Sequence, residues 1–378
     1  MQVTVLQENL NKGLTMVGRA VATRPTLPIT SHVLLRTDQG RLKLVATNLE
    51  IALSAWVGAK VDGEGSIAVP ARLLSEFVAS LPNDRVELTV APDSRQLEVR
   101  CARFQARIAG QSEEEFPPIP TAGDGAAAIV DAEGLRKAIR QVEFAAAVDD
   151  TRPVLTGVFA RFEEGELTLA AADGFRLSVR QVPLVAPVSE PMTLTIPAAA
   201  LRELSRLLPE QEEPVELMAN ATRGEIRLRL KNAEMVSKLL QGTYPNYTNL
   251  IPKSYTSRVT MNVADFLRAI RSAAVFARDG SGIVRLVVEP GEDLAPGRLT
   301  VSARAEEVGE NTVELDVLVE GEGAKIAFNS KYLSDVLSVL DTEQLSLETT
   351  SPSSPGLLRP TGSEDNYTHV VMPMFVQW

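Results

Sequence analysis

One pattern occurs three times along this chain of 378 residues, and a chain built that way folds as tandem domains rather than around one continuous core. Each copy opens with an amphipathic helix: Glu8-Asn9-Leu10-Asn11-Lys12-Gly13-Leu14, Glu133-Gly134-Leu135-Arg136-Lys137-Ala138-Ile139 and Ala264-Asp265-Phe266-Leu267-Arg268-Ala269-Ile270. About sixty residues on, a short alternating strand runs straight into a second helix, at Ile67-Ala68-Val69-Pro70, Leu194-Thr195-Ile196-Pro197 and Ile326-Ala327-Phe328-Asn329. Leu10, Leu135 and Phe266 stand 125 and 131 residues apart, and Leu74, Leu201 and Leu333 stand 127 and 132 apart. Two landmarks that agree this closely mark a repeat, with a period too long for a solenoid and suited to a small domain.

Between the helices the chain reads as strand. Examples are Ser31–Arg36, Arg41–Ala46, Leu53–Val57, Arg85–Val90, Gln96–Val99, Gly157–Phe162, Glu166–Ala171, Leu177–Val182, Glu225–Leu230 and Thr312–Val319. Many of these alternate apolar and polar side chains (Leu42, Leu44; Leu97, Val99; Leu167, Leu169), as strands with one face on a core do. Turn signals separate them at Asp38-Gln39-Gly40, Pro92-Asp93, Glu164-Gly165 and Pro290-Gly291. Few helices among many strands, in the order helix, strands, helix, strands, predict α+β domains, each with two helices packed on antiparallel sheets. Proline-rich ends at Phe116-Pro117-Pro118-Ile119-Pro120 and from Tyr244-Pro245-Asn246-Tyr247 to Ile251-Pro252 place linkers near 120–126 and 250–257. Three domains are therefore expected, over 1–122, 123–254 and 255–378.

The charge is unevenly placed. Lys and Arg number 38 against 49 Asp and Glu, a net −11 that by itself argues against a nucleic-acid partner. The six expected helices (8–22, 70–81, 131–147, 197–208, 262–277 and 329–340) nevertheless carry a net +3, leaving −14 elsewhere. Arg136 and Arg140, and Arg202 and Arg206, stand four apart; Arg268 and Arg271 stand three apart; Lys12, Lys137 and Arg268 share one repeat position. Either these are solvated helix faces, or the helices gather on one surface that offers a weakly positive lining to an anion such as the phosphates of a nucleic acid.

Chemistry is scarce. There is no phosphate loop, dinucleotide-binding glycine turn or His-Glu-x-x-His helix. One cysteine, Cys101, excludes an internal disulfide and fits a reducing cytosol; two histidines, His32 and His369, cannot support a His-rich metal site, and with so few of both residues the sequence argues against a Ser-His or Cys-His nucleophile. Asp173-Gly174 reads as a hairpin turn as readily as an active site, and the pair Asp149-Asp150 as a solvated loop as readily as a cation site. No apolar run approaches the ~20 residues of a membrane span, and Met1-Gln2-Val3-Thr4-Val5 does not begin a signal peptide. A tandem-domain enzyme or scaffold using acid pairs with a metal stays open beside a binding protein.

Six motifs resemble one family. Arg24-Pro25-Thr26-Leu27-Pro28-Ile29, Thr47-Asn48-Leu49-Glu50, Val69-Pro70-Ala71-Arg72, Ala172-Asp173-Gly174-Phe175-Arg176-Leu177, Tyr244-Pro245-Asn246-Tyr247 and Val370-Val371-Met372-Pro373-Met374 are similar, in order and spacing, to the bacterial DNA polymerase III β sliding clamp family. The resemblance covers essentially the whole chain. It implies a non-catalytic accessory subunit of a DNA-directed DNA polymerase (a nucleotidyltransferase holoenzyme), acting in DNA replication as the processivity factor, cytoplasmic and without cofactor or metal. It also implies the DNA clamp fold, in a head-to-tail homodimeric ring of six domains around duplex DNA. Implied partners are the replicative polymerase, the clamp loader, and other polymerases and repair proteins that carry short clamp-binding peptides.

Three sites carry over from the resemblance. DNA-binding positions are Lys12, Arg24, Arg72, Arg136, Lys137, Arg140, Arg202, Arg206, Arg268, Arg271 and Lys331. A partner-peptide cleft between the second and third domains takes in Leu155, Ala172, Gly174, Phe175, Arg176, Leu177, Pro245, Val370, Val371, Met372, Pro373 and Met374. The two methionines suit a pocket that accepts several peptides, though the same residues also suit a last strand tucked into the third core. At the subunit interface, an edge strand ending in Arg103-Phe104-Gln105-Ala106 would pair with the partner's third domain. Phe104 would then meet Val275 and Phe276, and Arg100 and Arg103 would face Glu306 and Glu307; a contact inside one domain is the competing account of Phe104 and Phe276.

Some residues depart from the family pattern. Phe175 stands where the family usually has His, and Phe375-Val376-Gln377-Trp378 replaces a basic residue after Met374, so the cleft is expected to be more apolar. Pro153 and Val154 replace aromatic residues of a loop thought to touch DNA, and that contact is not carried over. Gln344-Leu345-Ser346-Leu347 resembles a partner peptide but lacks its closing Phe and sits in a strand-like run.

Overall fold

The computed structural model describes all residues except 93, 120–125, 150, 221–222, 278–281, 293–294, 306–308, 363–365 and 377–378. Asp93, Pro120, Asp150, Glu306, Glu307, Gln377 and Trp378, all singled out above, thus lie outside the described residues. The six described α-helices come in the expected three pairs: α1 (Gln7–Val17) and α2 (Ala71–Ser80), α3 (Ala132–Val142) and α4 (Ala198–Leu207), α5 (Val263–Phe276) and α6 (Ser330–Leu337). The second helix of each pair follows its strand without a loop, after Ser66–Pro70, Met192–Pro197 and Ala324–Asn329. Their starts use different chemistry. Asn262 and Asn329 cap α5 and α6 by accepting hydrogen bonds from the backbone N–H groups of Asp265, and of Lys331 and Tyr332. Pro70 precedes α2, where its fixed φ costs nothing and no backbone donor is needed.

Three helices end well short of their expected bounds, α6 at Leu337 instead of 340 among them. α1 stops at Val17 and tightens into a 3-10 turn over Gly18–Ala20, where glycine disfavours further α-helix, so Arg19 lies beyond it. α3 stops at Val142, with a 3-10 turn over Glu143–Ala145 before the chain extends at Ala146.

Every strand pairing among the described residues is antiparallel. By spatial clustering the chain forms two compact units. The first holds Met1–Glu133, Leu184–Glu190 and Glu203–Leu239. In it a five-stranded sheet runs Ala59–Gly63, Gln2–Leu6, Arg85–Thr89, Gln96–Cys101, Phe104–Ala109. An eight-stranded sheet runs Ala126–Val130, Val215–Asn220, Glu225–Arg229, Ala233–Lys238, Ile51–Val57, Arg41–Thr47, His32–Asp38, Ser66–Pro70. α1 packs on this sheet through Gly13: a Cβ there would fall 2.7 Å from Val57 Cγ2 and 2.8 Å from Leu44 Cδ1. Glycine is what lets the helix lie so close.

The second unit holds Gly134–Pro183, Pro191–Arg202 and Leu240–Trp378. Its twelve-stranded sheet begins Met192–Pro197, Gly157–Glu163, Glu166–Ala172, Arg176–Pro183 and continues through Tyr367–Val371, Gly356–Pro360, Gln344–Thr349 and Ser257–Asn262. It then runs Gly309–Gly321, Gly297–Ala305, Ile283–Glu289 and Ala324–Asn329. Phe266, Ile270, Phe328, Leu333 and Val371 form the heart of a core here, all essentially without solvent exposure. The division runs through the second repeat because its halves hydrogen-bond into different sheets. Ala233–Lys238 pairs with Ile51–Val57 of the first repeat, whereas Arg176–Pro183 pairs with Tyr367–Val371 of the third. Gln344–Thr349 is an inner strand with Leu345 and Leu347 buried, so the peptide-like run there is core.

Candidate functional site

A cavity of about 490 Å³ opens on the second unit, and its walls are apolar: Ala172, Leu177, Leu250, Pro252, Pro355, Val370 and Met372, with Gly174, Asn249, Lys253, Ser254, Thr350 and Ser354 at its margins and Arg176 beneath. Strand pairing supplies the floor. Arg176 lies opposite Val371 and Leu177 opposite Val370, and Leu177 and Val370 are buried while Met372 is exposed. Past the last strand the chain stays fixed, since the N–H of Met372 donates to the carbonyl of Phe175 at 2.8 Å and that of Met374 to the carbonyl of Ala327 at 2.8 Å. Below the floor, Leu155, Ala170, Tyr244 and Tyr247 pack together. The Tyr244 hydroxyl accepts the N–H of Ala172 at 3.0 Å, and burial pushes its pKa up to about 12.

The turn at one wall is built by Asp173 and Arg176. Asp173 Oδ1 accepts the N–H groups of Phe175 (2.9 Å) and Arg176 (3.0 Å), and Gly174 takes φ +93°, a conformation glycine holds without strain. The buried Arg176 guanidinium reaches Asp173 Oδ2 at 3.0 Å, Asp335 Oδ2 at 2.7 Å and the Phe144 carbonyl at 2.7 Å, and lies 4.5 Å from the centre of the Tyr332 ring. Asp173 is thereby committed to shaping a hairpin. Phe175, 57% exposed, stacks on Tyr332 with ring centres 6.4 Å apart.

Of the expected DNA-binding cations all but Arg24, which lies in a loop, sit on helices, and most meet carboxylates. Lys12 pairs with Glu210, Arg72 with Glu76 (2.7 Å), Arg202 with Glu143 (2.7 Å), Arg206 with Glu203 (2.6 Å), Arg268 with Asp265 (3.2 Å) and Lys331 with Asp335 (2.7 Å). Arg271 donates to Ser338 Oγ at 3.1 Å, Arg136 and Lys137 are half-buried, and Arg24 and Arg140 are exposed. In the first unit α1 packs against α2, and Arg19 lies 3.6 Å from Glu203 in the middle of α4. In the second, Arg202–Glu143 links the middle of α4 to the residue just past α3, Gln141 Nε2 lies 3.4 Å from the carbonyl of Val339 just past α6, and α5 packs on α6. Within each unit the helices therefore cluster. The pairs of Lys12, Arg72 and Arg268 are exposed on both sides, and pairs of that kind contribute ~0–1 kcal/mol each, whereas Glu143, Glu203 and Asp335 are half-buried.

Three family models match consecutive parts of the chain: the N-terminal domain of the DNA polymerase III beta subunit over residues 1–120, the central domain over 129–246 and the C-terminal domain over 248–375. The beta sliding clamp of Synechococcus elongatus is 32% identical over 378 residues, covering 99% of each chain. The chain belongs to the DNA polymerase III beta subunit family. The Bacillus subtilis beta sliding clamp is 29% identical over 385 residues, with 99% of both chains covered. Among solved structures, the B. subtilis sliding clamp superposes with TM-score 0.93 at 28% identity, and the Pseudomonas aeruginosa sliding clamp bound to griselimycin with TM-score 0.92 at 29%, each over 100% of both chains. The function is that of this beta subunit family: a DNA polymerase sliding clamp, the processivity factor of replication, accessory to the polymerase and not itself catalytic. The enzyme alternative is set aside on that ground.

For a beta subunit, the expected residues divide clearly. Ala172, Gly174, Arg176, Leu177, Val370 and Met372 line the cavity. Leu155 lies beneath it, Val371 is wholly buried in the third core, and Pro245, Phe175, Pro373 and Met374 lie outside its lining. Asn249–Ser254 and the Thr350–Pro355 loop were missed. The first had a signal, because Leu250-Ile251-Pro252 was read only as a linker; the second is a plain polar turn with none.

At the expected interface one correction is needed. The strand does not end in Arg103–Ala106; it begins at Phe104 and runs to Ala109, because Ala102 (φ +50°) and Arg103 form a two-residue turn between paired Cys101 and Phe104. Phe104 is 49% exposed on the outermost strand of the five-stranded sheet, and Arg100 is paired with Glu98 at 3.0 Å. Val275 is likewise 49% exposed, whereas Phe276 packs partly on the third core. Among the described residues no group of three or more His, Cys, Asp or Glu side chains is placed to hold a metal, and no helix is long and apolar enough to cross a membrane. Asp149 accepts the N–H of Thr151 at 3.1 Å, the geometry of a loop turn.

Proposed function

We propose that the chain works as a head-to-tail homodimeric ring of three domains per subunit, 1–122, 123–254 and 255–378, threaded by duplex DNA in the cytoplasm. The cleft bordered by Leu177, Val370 and Met372 tethers short peptides of the replicative polymerase, the clamp loader and other polymerases and repair proteins. The observation that carries this reading is that cleft: a preformed apolar cavity whose exposed thioether at Met372 adapts to different peptides. Open edges support the ring. Among the described residues, strand Phe104–Ala109 has a partner on one side only, and in Gly309–Gly321 the stretch from Gly309 to Val317 pairs only with Gly297–Ala305. Exposed edges invite pairing with another chain. Lys12, Arg24, Arg72, Arg136, Lys137, Arg140, Arg202, Arg206, Arg268, Arg271 and Lys331 supply weak, sequence-indifferent phosphate contacts.

The test is retention on DNA at high salt after loading, on nicked circles against the same molecules linearised. Protein held on circles and lost from linear DNA is the expected result. Equal loss from both, with a control clamp retained, would refute the ring. Met372→Ala should weaken a Gln-Leu-Ser-Leu-Phe peptide at least tenfold; unchanged binding would remove the cleft from the reading.

A further inference from the structure

A further cavity lies elsewhere. About 690 Å³ opens on the first unit, on the face of the eight-stranded sheet turned away from α1. Side chains alternate between sheet faces, and Leu44 and Val57 point at Gly13 of α1. Their neighbours Lys43 and Trp56, paired across two strands, and Arg36, paired with Lys43, point the other way. Six cations converge there, Arg36, Arg41, Lys43, Arg227, Arg229 and Lys231, against three acids, Asp38, Glu113 and Glu234. In a chain of net charge −11 this is a local reversal of sign. Asp38 is engaged by the Trp56 indole N–H at 2.8 Å. Arg36, Arg229 and Lys231 reach Glu113, Glu216 and Glu213 at 2.9, 3.3 and 2.9 Å. Lys43 and Arg41 instead lie over the Trp56 ring, at 4.5 and 5.7 Å from its centre.

One wall is Pro117-Pro118-Ile119, held down by the buried Phe116 against Leu34 and Val45. The same three residues wall a second cavity of about 300 Å³, lined also by Leu49, Ile51 and Val236. Its position repeats the cleft of the second unit. There a turn with Gly174 at φ +93° leads into Arg176–Pro183, which pairs with the third repeat's last strand. Here a turn with Leu49 at φ +76° leads into Ile51–Val57, which pairs with the second repeat's last strand.

We propose that this groove is a second docking site, for an acidic, extended peptide of a partner protein that places an apolar residue at Leu49, Ile51 and Val236 and its carboxylates among the six cations. A peptide fits better than single-stranded nucleic acid, because the Trp56 face is already covered by Lys43 and Arg41 and Phe116 is buried, which leaves no stacking platform for bases. The site does not depend on the ring or on the cleft at Met372.

The test reads Trp56 fluorescence in a Trp378→Phe background, since the chain has two tryptophans. The probes are the peptide Asp-Glu-Leu-Asp-Asp-Leu, its Asn/Gln counterpart and oligothymidylate. Saturable binding of the acidic peptide is expected, weakened at least tenfold by Arg41→Glu with Lys43→Glu, about threefold by Lys43→Gln, and unchanged by Met372→Ala. Equal binding of the neutral peptide, indifference to both charge variants, loss in Met372→Ala, or binding of oligothymidylate alone would each overturn the proposal.

Discussion

Replacing Arg176 by Ala should destabilise the second unit by about 3 kcal/mol. The side chain is buried and makes charged hydrogen bonds to Asp173, Asp335 and the Phe144 carbonyl, besides its contact with the Tyr332 ring. Removing one partner of a buried ion pair costs ~3–5 kcal/mol. The lower end applies because both carboxylates keep other partners: Lys331 at 2.7 Å for Asp335, and two backbone N–H groups for Asp173. In a unit of roughly 200 residues ~1 kcal/mol moves a melting point by ~2–4 °C, so the transition should fall by about 6–12 °C. Arg176→Lys keeps a charge but not the planar fork, and should recover less than half of the loss. Differential scanning calorimetry reads both variants. A shift under 2 °C for Arg176→Ala would show that the network adds nothing net, and that the turn at the cleft is held by Asp173 and Gly174 alone.

Three further outcomes follow from single residues. His369 is fully buried with Nδ1 2.6 Å from Ser178 Oγ, and burial, with the Arg176 charge, pushes its pKa down to about 3. The unfolded histidine binds a proton below about pH 6.5 that the folded one refuses, so its contribution falls by ~1.4 kcal/mol per pH unit from there toward pH 3. His369→Gln should lose about 2 kcal/mol less than wild type between pH 7 and 5 in urea titrations; parallel losses would sink the assignment. Gly13→Ala gains ~1 kcal/mol of helix propensity but meets Val57 and Leu44 inside 3 Å, and overpacking costs ~1–3 kcal/mol, so a net loss is expected by urea denaturation and a gain would contradict the close approach. Phe104→Arg should yield monomers in sedimentation, and a dimer of wild-type strength would remove that edge from the interface.

What the sequence made legible was periodicity. Helix stripes such as Leu10/Leu14/Val17 and Leu135/Ile139/Val142 are buried where a 3.6-residue period puts them, and the strands before Pro70, Pro197 and Asn329 enter their helices directly. The triple repeat could not announce that the second copy would divide its strands between two sheets, because edge pairing depends on which edges remain free after folding. Leu177, Val370 and Met372 were found through their motifs. The Thr350–Pro355 wall was not, since a polar turn becomes part of a cleft only when distant strands bring it there. Arg176 shows the same limit: the sequence placed it at the cleft, but its partners, two carboxylates and a backbone carbonyl, lie 3, 159 and 32 residues away.

The paired cations bear on how a clamp moves. An unpaired lysine or arginine gains the full attraction of a phosphate and resists leaving it, whereas Arg202 or Lys331 must first give up a carboxylate at 2.7 Å. Arg202 and Lys331 are themselves exposed, so at the proposed contacts each exchanges a carboxylate for a phosphate and the barrier to a step along DNA is lowered. On the proposed ring, affinity then comes from closure and mobility from the acidic partners Glu143 and Asp335. Neutralising Glu143 to Gln should tighten salt-sensitive binding to linear duplex while slowing diffusion along it. Faster diffusion in that variant, by single-molecule tracking, would mean the carboxylate was an obstacle rather than a competitor.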